Sequence, residues 1–68
     1  MKPLTASEVE DILAANGYSF RRMKGSHAIW YSDERRHAVP VPRHGSSVLP
    51  QGTLQSIFNG TGIPKPNR

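Results

Sequence analysis

The sequence contains no cysteine. Disulfides and thiolate metal sites, common supports for a chain of 68 residues, are therefore excluded. Long apolar runs are also missing: none, Ala28 to Tyr31 included, exceeds four residues. A membrane-spanning helix or the core of a signal peptide needs many more, so a cytoplasmic protein with no membrane partner is expected. Six glycines and six prolines fall below the share of roughly 25–30% that marks a disordered chain. One small domain is expected over residues 1–63, with 64–68 as a disordered tail. A chain this short buries only roughly 60% of its unfolded surface, so its stability is marginal.

Acidic residues are few and confined to the first half. Nine Lys and Arg against five Asp and Glu leave a net charge of +4. Glu8, Glu10 and Asp11 lie near the start and Asp33 and Glu34 in the middle, and no acid follows. Arg35, Arg36, Arg43, Lys65 and Arg68 are then unopposed along the chain. A one-signed surface draws a polyanion, most often nucleic acid, although it also serves plain solubility.

Thr5 followed three residues later by Glu8 is a capping box, and Leu4 and Val9 occupy the positions of a hydrophobic staple. Val9, Ile12 and Leu13 make an apolar stripe at helical spacing, and Asn16-Gly17 supplies a left-handed stop. These signals predict a helix over Ala6 to Ala15. Tyr18 to Lys24 and His27 to Ser32 flank Gly25-Ser26, a Gly-X turn of the type II′ kind, and predict a hairpin. Its register pairs Lys24 with His27, Arg22 with Ile29 and Phe20 with Tyr31. Tyr18, Phe20, Ile29 and Tyr31 then form the expected core face; a one-residue bulge would exchange the faces. Arg21 falls across from Trp30, where a cation–π pair is expected.

His37 to Pro42 reads as a third strand. Pro40 and Pro42 lose N–H donors on the same side, which makes it a blunted edge. A second helix is expected from about Thr53 to Asn59, burying Leu54, Ile57 and Phe58 and ending at Gly60. The order is α-β-β-β-α, an α+β fold with a three-stranded antiparallel sheet and both helices on one face. That is the layout of the double-stranded RNA-binding domain.

Lys24-Gly25-Ser26-His27 is the segment most able to carry chemistry. A tight turn sets an imidazole beside an ammonium group and flexible backbone N–H donors, a setting suited to phosphate and to general-base catalysis. An isolated surface histidine by a turn is more often inert. His27, His37 and His44, spaced 10 and 7 apart with no cysteine, match no zinc pattern, and no metal is expected.

Gly25-Ser26-His27, then Val39-Pro40-Val41-Pro42-Arg43-His44, then Leu49-Pro50-Gln51-Gly52-Thr53-Leu54-Gln55-Ser56-Ile57 and Gly62-Ile63, resemble the HicA family. These are small toxins of bacterial toxin–antitoxin pairs that act as messenger-RNA interferases. The resemblance runs from about Leu4 to Ile63 and implies the double-stranded RNA-binding-domain-like fold, endoribonuclease activity without a cofactor and a cognate HicB-like antitoxin. The family's catalytic histidine follows Gly-Ser and so corresponds to His27. Lys24, Gly25, Ser26, Arg22, Arg21, Arg43 and His44 are the expected RNA-binding residues. DNA is not an expected partner by itself. Asn59-Gly60-Thr61 departs from many members, which continue the second helix with charged residues, and it is expected to shorten that helix. The rival readings are an RNA-binding module without catalysis and a protein whose basic face docks an acidic partner.

Overall fold

The computed structural model describes residues 2–43, 45 and 47–66. Helix α1 spans Ala6–Ala15. Its capping box is complete: Thr5 Oγ1 accepts from the Glu8 N–H at 3.2 Å, and Glu8 Oε1 accepts from the Thr5 N–H at 2.9 Å. The Thr5 backbone donor holds the Glu8 carboxyl below its usual range. Leu4 and Val9, the staple positions, are both buried. At the other end Gly17 takes φ +88°, and the Tyr18 N–H donates to the Leu13 carbonyl at 3.0 Å. That six-residue bond is a Schellman closure, which requires the left-handed residue glycine supplies.

Strands β1 (Ser19–Lys24) and β2 (His27–Ser32) form the hairpin. Gly25 carries φ +60° while Ser26 stays outside the left-handed region, as a type II′ turn requires. Lys24 pairs with His27 and Arg22 with Ile29. Beyond Arg22 the register shifts, so Phe20 pairs with Trp30 instead of the expected Tyr31. Arg21 is the extra residue. It turns to the opposite side of the sheet, where its guanidinium lies 4.1 Å over the Tyr31 ring, not against Trp30 as its alternation in a regular strand implies.

The core face is therefore the other one. Ala28 and Ser32 are buried and Trp30 is packed against the core, whereas Ile29 and Tyr31 are only half-buried. Of the expected core face Tyr18 is buried in the core, and Phe20, which the bulge sets beside Trp30, is 47% exposed. The third strand decides this facing. In β3 (His37–Pro42), Val41 pairs with Ala28 and Val39 with Trp30, so both valines share their side of the sheet. Ala28 at 0% exposure has no bulk to hold the helices away. The alternation of Ile29 and Tyr31 pointed to the wrong face because the small residues sit where helices approach.

The sheet order is β1-β2-β3, with β3 at an edge. The Arg43 N–H donates to the Ser26 carbonyl at 2.9 Å, which sets the phase of β3. Val41, Val39 and His37 direct their backbone groups toward β2, and Ala38, Pro40 and Pro42 direct theirs outward. The outer edge thus offers three carbonyl acceptors and a single N–H, that of Ala38.

Helix α2 covers Gln51–Thr61, two residues longer at each end than the expected Thr53 to Asn59. Gly60 is accommodated inside it, and Gly62 at φ +75° stops it by donating its N–H to the Phe58 carbonyl at 3.0 Å. Asn59-Gly60-Thr61 therefore does not shorten the helix. The Thr61 hydroxyl donates to the Phe58 carbonyl and accepts from the Ile63 N–H, replacing lost bonds in the last turn. Val9 and Leu13 of α1 join Leu54, Ile57 and Phe58 of α2 over Ala28, Val39 and Val41 in one core. Both helices thus lie on one face, the α-β-β-β-α arrangement expected. Residues 64–66 carry no regular structure, and Asn67 and Arg68 of the expected tail lie outside the described residues.

Candidate functional site

The face of the sheet turned away from the helices carries Arg22 and Lys24 from β1 and His27, Ile29 and Tyr31 from β2. Ala38, Pro40 and Pro42 continue it on β3. Arg21 joins this face through its bulge. None of the strand residues is acidic. Three cations therefore share a surface with no carboxylate in the sheet to oppose them. His27 opens β2 as an exposed side chain, directly across from Lys24 on one side and Pro42 on the other. Gly25 and Ser26 form the exposed turn beside them.

Arg43 is placed differently. It follows Pro42 with the opposite facing, on the helix side, and its guanidinium grips both carboxylate oxygens of Glu10 in α1. The Nε–Oε2 bond is 2.9 Å. Glu10 is 9% exposed and Arg43 46%. Arg43 thus ties α1 to the end of β3, and only its backbone N–H, on Ser26, reaches the turn. His44 lies outside the described residues.

The Arg43 guanidinium holds the Glu10 carboxyl below its usual value against the opposing effect of burial. A depressed folded-state value means that the pair contributes stability above the unfolded carboxylate's titration, and loses it as pH falls through the folded one. Glu10→Gln is therefore expected to melt lower than the wild type at neutral pH. The gap should close as the pH falls through the unfolded carboxylate's range and then through the lower folded-state one. A gap that stays constant to low pH in thermal melts followed by circular dichroism would contradict this role.

One surface feature was not visible in the sequence. A groove of about 620 Å³ runs between the outer edge of β3 and α2, with His27 at one end and His37 at the other. Five residues of strand separate the two ends, roughly 17 Å. The His37 ring packs edge-on to Tyr18, with its Nδ1 2.9 Å from the Tyr18 hydroxyl. Gly60 passes close by: a Cβ there would lie 3.6 Å from the His37 ring. Gly52, Ser56 and Gly60, all small and four apart, form the helical wall. That spacing was the available signal, but it has meaning only once α2 is known to reach Gly60. Among the described residues no three His, Asp or Glu side chains gather as metal ligands, and no helix is long and apolar enough to cross a membrane.

No curated protein and no solved structure matches the chain significantly. The family model for the HicA toxin of bacterial toxin–antitoxin systems matches residues 6–63. That span takes in both helices, all three strands and the Gly-Ser-His turn, and the chain belongs to the HicA toxin family.

Proposed function

We propose that this toxin is an endoribonuclease that cleaves messenger RNA in the cytoplasm without a metal ion, with His27 as general base. The observation that supports it most is the exposed imidazole paired with Lys24 at the end of an acid-free sheet face. His27 takes the proton of a ribose 2′-hydroxyl. The freed oxygen attacks the adjacent phosphorus, the bond to the 5′-oxygen of the next nucleotide breaks, and water returns a proton to that oxygen. A general base supplies about 10²–10⁴ in rate. Lys24 and Arg22 hold the phosphate, Gly25 and Ser26 offer backbone N–H donors at the turn, and Arg21 extends the cationic surface along the strand. Donors fixed where negative charge develops are a large further contribution. Arg43, neutralised by Glu10, is assigned to the scaffold.

As a member of a toxin–antitoxin family the chain has a cognate antitoxin. A HicB-like antitoxin that lays acidic residues over Arg22 and Lys24 and covers His27 accounts for survival of the host. Its association is expected to slow as salt screens those charges. The test of the activity uses the purified chain. RNA should be cut with EDTA present, and DNA of the same sequence should not be cut, since it lacks the attacking hydroxyl. A requirement for a divalent cation, or cleavage of DNA, would overturn the proposal.

A further inference from the structure

The groove beside β3 is chemically unlike the sheet face next to it. Its walls include Pro40, Pro42, Pro50, Thr53, Ser56 and Ile57, and among the described residues no lysine, arginine or carboxylate lines it. At about 620 Å³ it falls in the range of small-ligand sites. Its strand wall is the unpaired edge of β3, where Ala38, Pro40 and Pro42 turn carbonyls outward and the two prolines offer no N–H. An added peptide strand needs alternating donors and acceptors, and this edge cannot return its carbonyl bonds. The edge suits a flat, uncharged group that brings its own N–H donors.

The charge pattern continues the match. Lys24 and Arg22 lie outside the groove on the sheet face, next to His27, which belongs to both surfaces. Phosphates are drawn to the cations, and the uncharged slot remains for what phosphates carry. At the far end Tyr18 engages His37 Nδ1, which leaves Nε2 as that ring's remaining polar atom.

We infer that this groove is a nucleobase subsite: it takes one unpaired base of the RNA flanking the bond at His27, between the proline edge of β3 and the small-residue face of α2. The inference rests on the ribonuclease reading and adds its specificity. Bases with an exocyclic amine, namely adenine, cytosine and guanine, donate to the outward carbonyls. Uracil has no amine and fits least well. An unpaired base is required because pairing would occupy the edge that the groove reads.

The test has a binding arm and a kinetic arm. In the first, AMP, CMP and UMP are titrated into the ¹⁵N-labelled wild-type chain. AMP and CMP should shift the amides of Ala38, Thr53 and Ser56, and UMP should do so at about tenfold higher concentration. Ser56→Phe, a change at an exposed helix position that fills the slot, should abolish these shifts while leaving the rest of the spectrum in place. Shifts confined to Lys24–His27, or none, would overturn the subsite.

In the second arm, Ser56→Phe and an abasic residue beside the cut should each lower kcat/KM about tenfold. Combining them should cost no more than either alone. Full additivity, or no effect of either, would overturn the subsite and leave cleavage by His27 standing. Groove binding by nucleotides in a chain that cuts no RNA would instead remove the ribonuclease reading and keep the subsite. Loss of antitoxin binding in Ser56→Phe with no nucleotide response would assign the groove to the protein partner and overturn the inference.

Discussion

Replacing His27 by alanine is expected to lower RNA cleavage by about 10²–10⁴-fold, the range a general base supplies. Growth arrest on expression should disappear with it. The fold should be untouched, because the imidazole is exposed at the start of β2 and the core lies on the other side of the sheet. The hairpin is held by its register, by the Gly25 turn and by the Arg43 N–H on Ser26, none of which uses the His27 side chain. Equal melting temperatures with lost cleavage are the expected pair of results. A folded variant that still cuts RNA at the wild-type rate would remove His27 from the chemistry.

A second large effect is expected at Phe58. This ring is 2% exposed and is the largest fully buried side chain. Phe→Ala in a core costs about 3–5 kcal/mol. At roughly 0.05–0.15 kcal/mol per residue, a chain of 68 residues has about 3–10 kcal/mol in total. Without disulfides to add to that margin, Phe58→Ala should unfold much or all of the population at 37 °C. Toxicity would vanish here too, but through lost structure, and the far-ultraviolet spectrum distinguishes the two variants. A Phe58→Ala chain with a near-native melting curve would contradict the core described.

What was legible in the sequence was local. Thr5 and Glu8 specify the start of α1 because a capping box is a contact between residues three apart, and Gly17 specifies its end for the same reason. Gly25-Ser26 set the first pairs of the hairpin correctly, since a two-residue turn leaves no slack. The pairing then failed at Arg21, where the bulge arises from the competition between two sheet faces for the helices. Ile29 and Tyr31 are the more apolar pair by composition, but Ala28, Val39 and Val41 make the flatter surface, and α1 and α2 pack there. That choice needs three strands and two helices at once.

The site divides along the same line. His27, Lys24, Arg22 and the Gly-Ser turn are neighbours in sequence and remain neighbours on the open face. Arg43 was expected with them as an RNA-binding residue, but one residue of strand alternation carried it to the helix side, where Glu10 meets it across 33 positions of chain. The groove was illegible for a further reason. It needs α2 to run two residues past the expected Asn59 so that Gly60 can sit against His37, and a glycine inside a helix ordinarily signals its end.

The claim that His27 activates a ribose hydroxyl is tested most directly on an oligoribonucleotide that the chain cuts at one bond, treated in EDTA and compared with the same strand carrying one 2′-deoxy residue 5′ to that bond. The account predicts a 2′,3′-cyclic phosphate and a 5′-hydroxyl from the first and no cut at the substituted position in the second. Cleavage 5′ of the missing hydroxyl leaves the test unaffected; cleavage at the deoxy position itself, or products ending in a 3′-hydroxyl and 5′-phosphate, would contradict it.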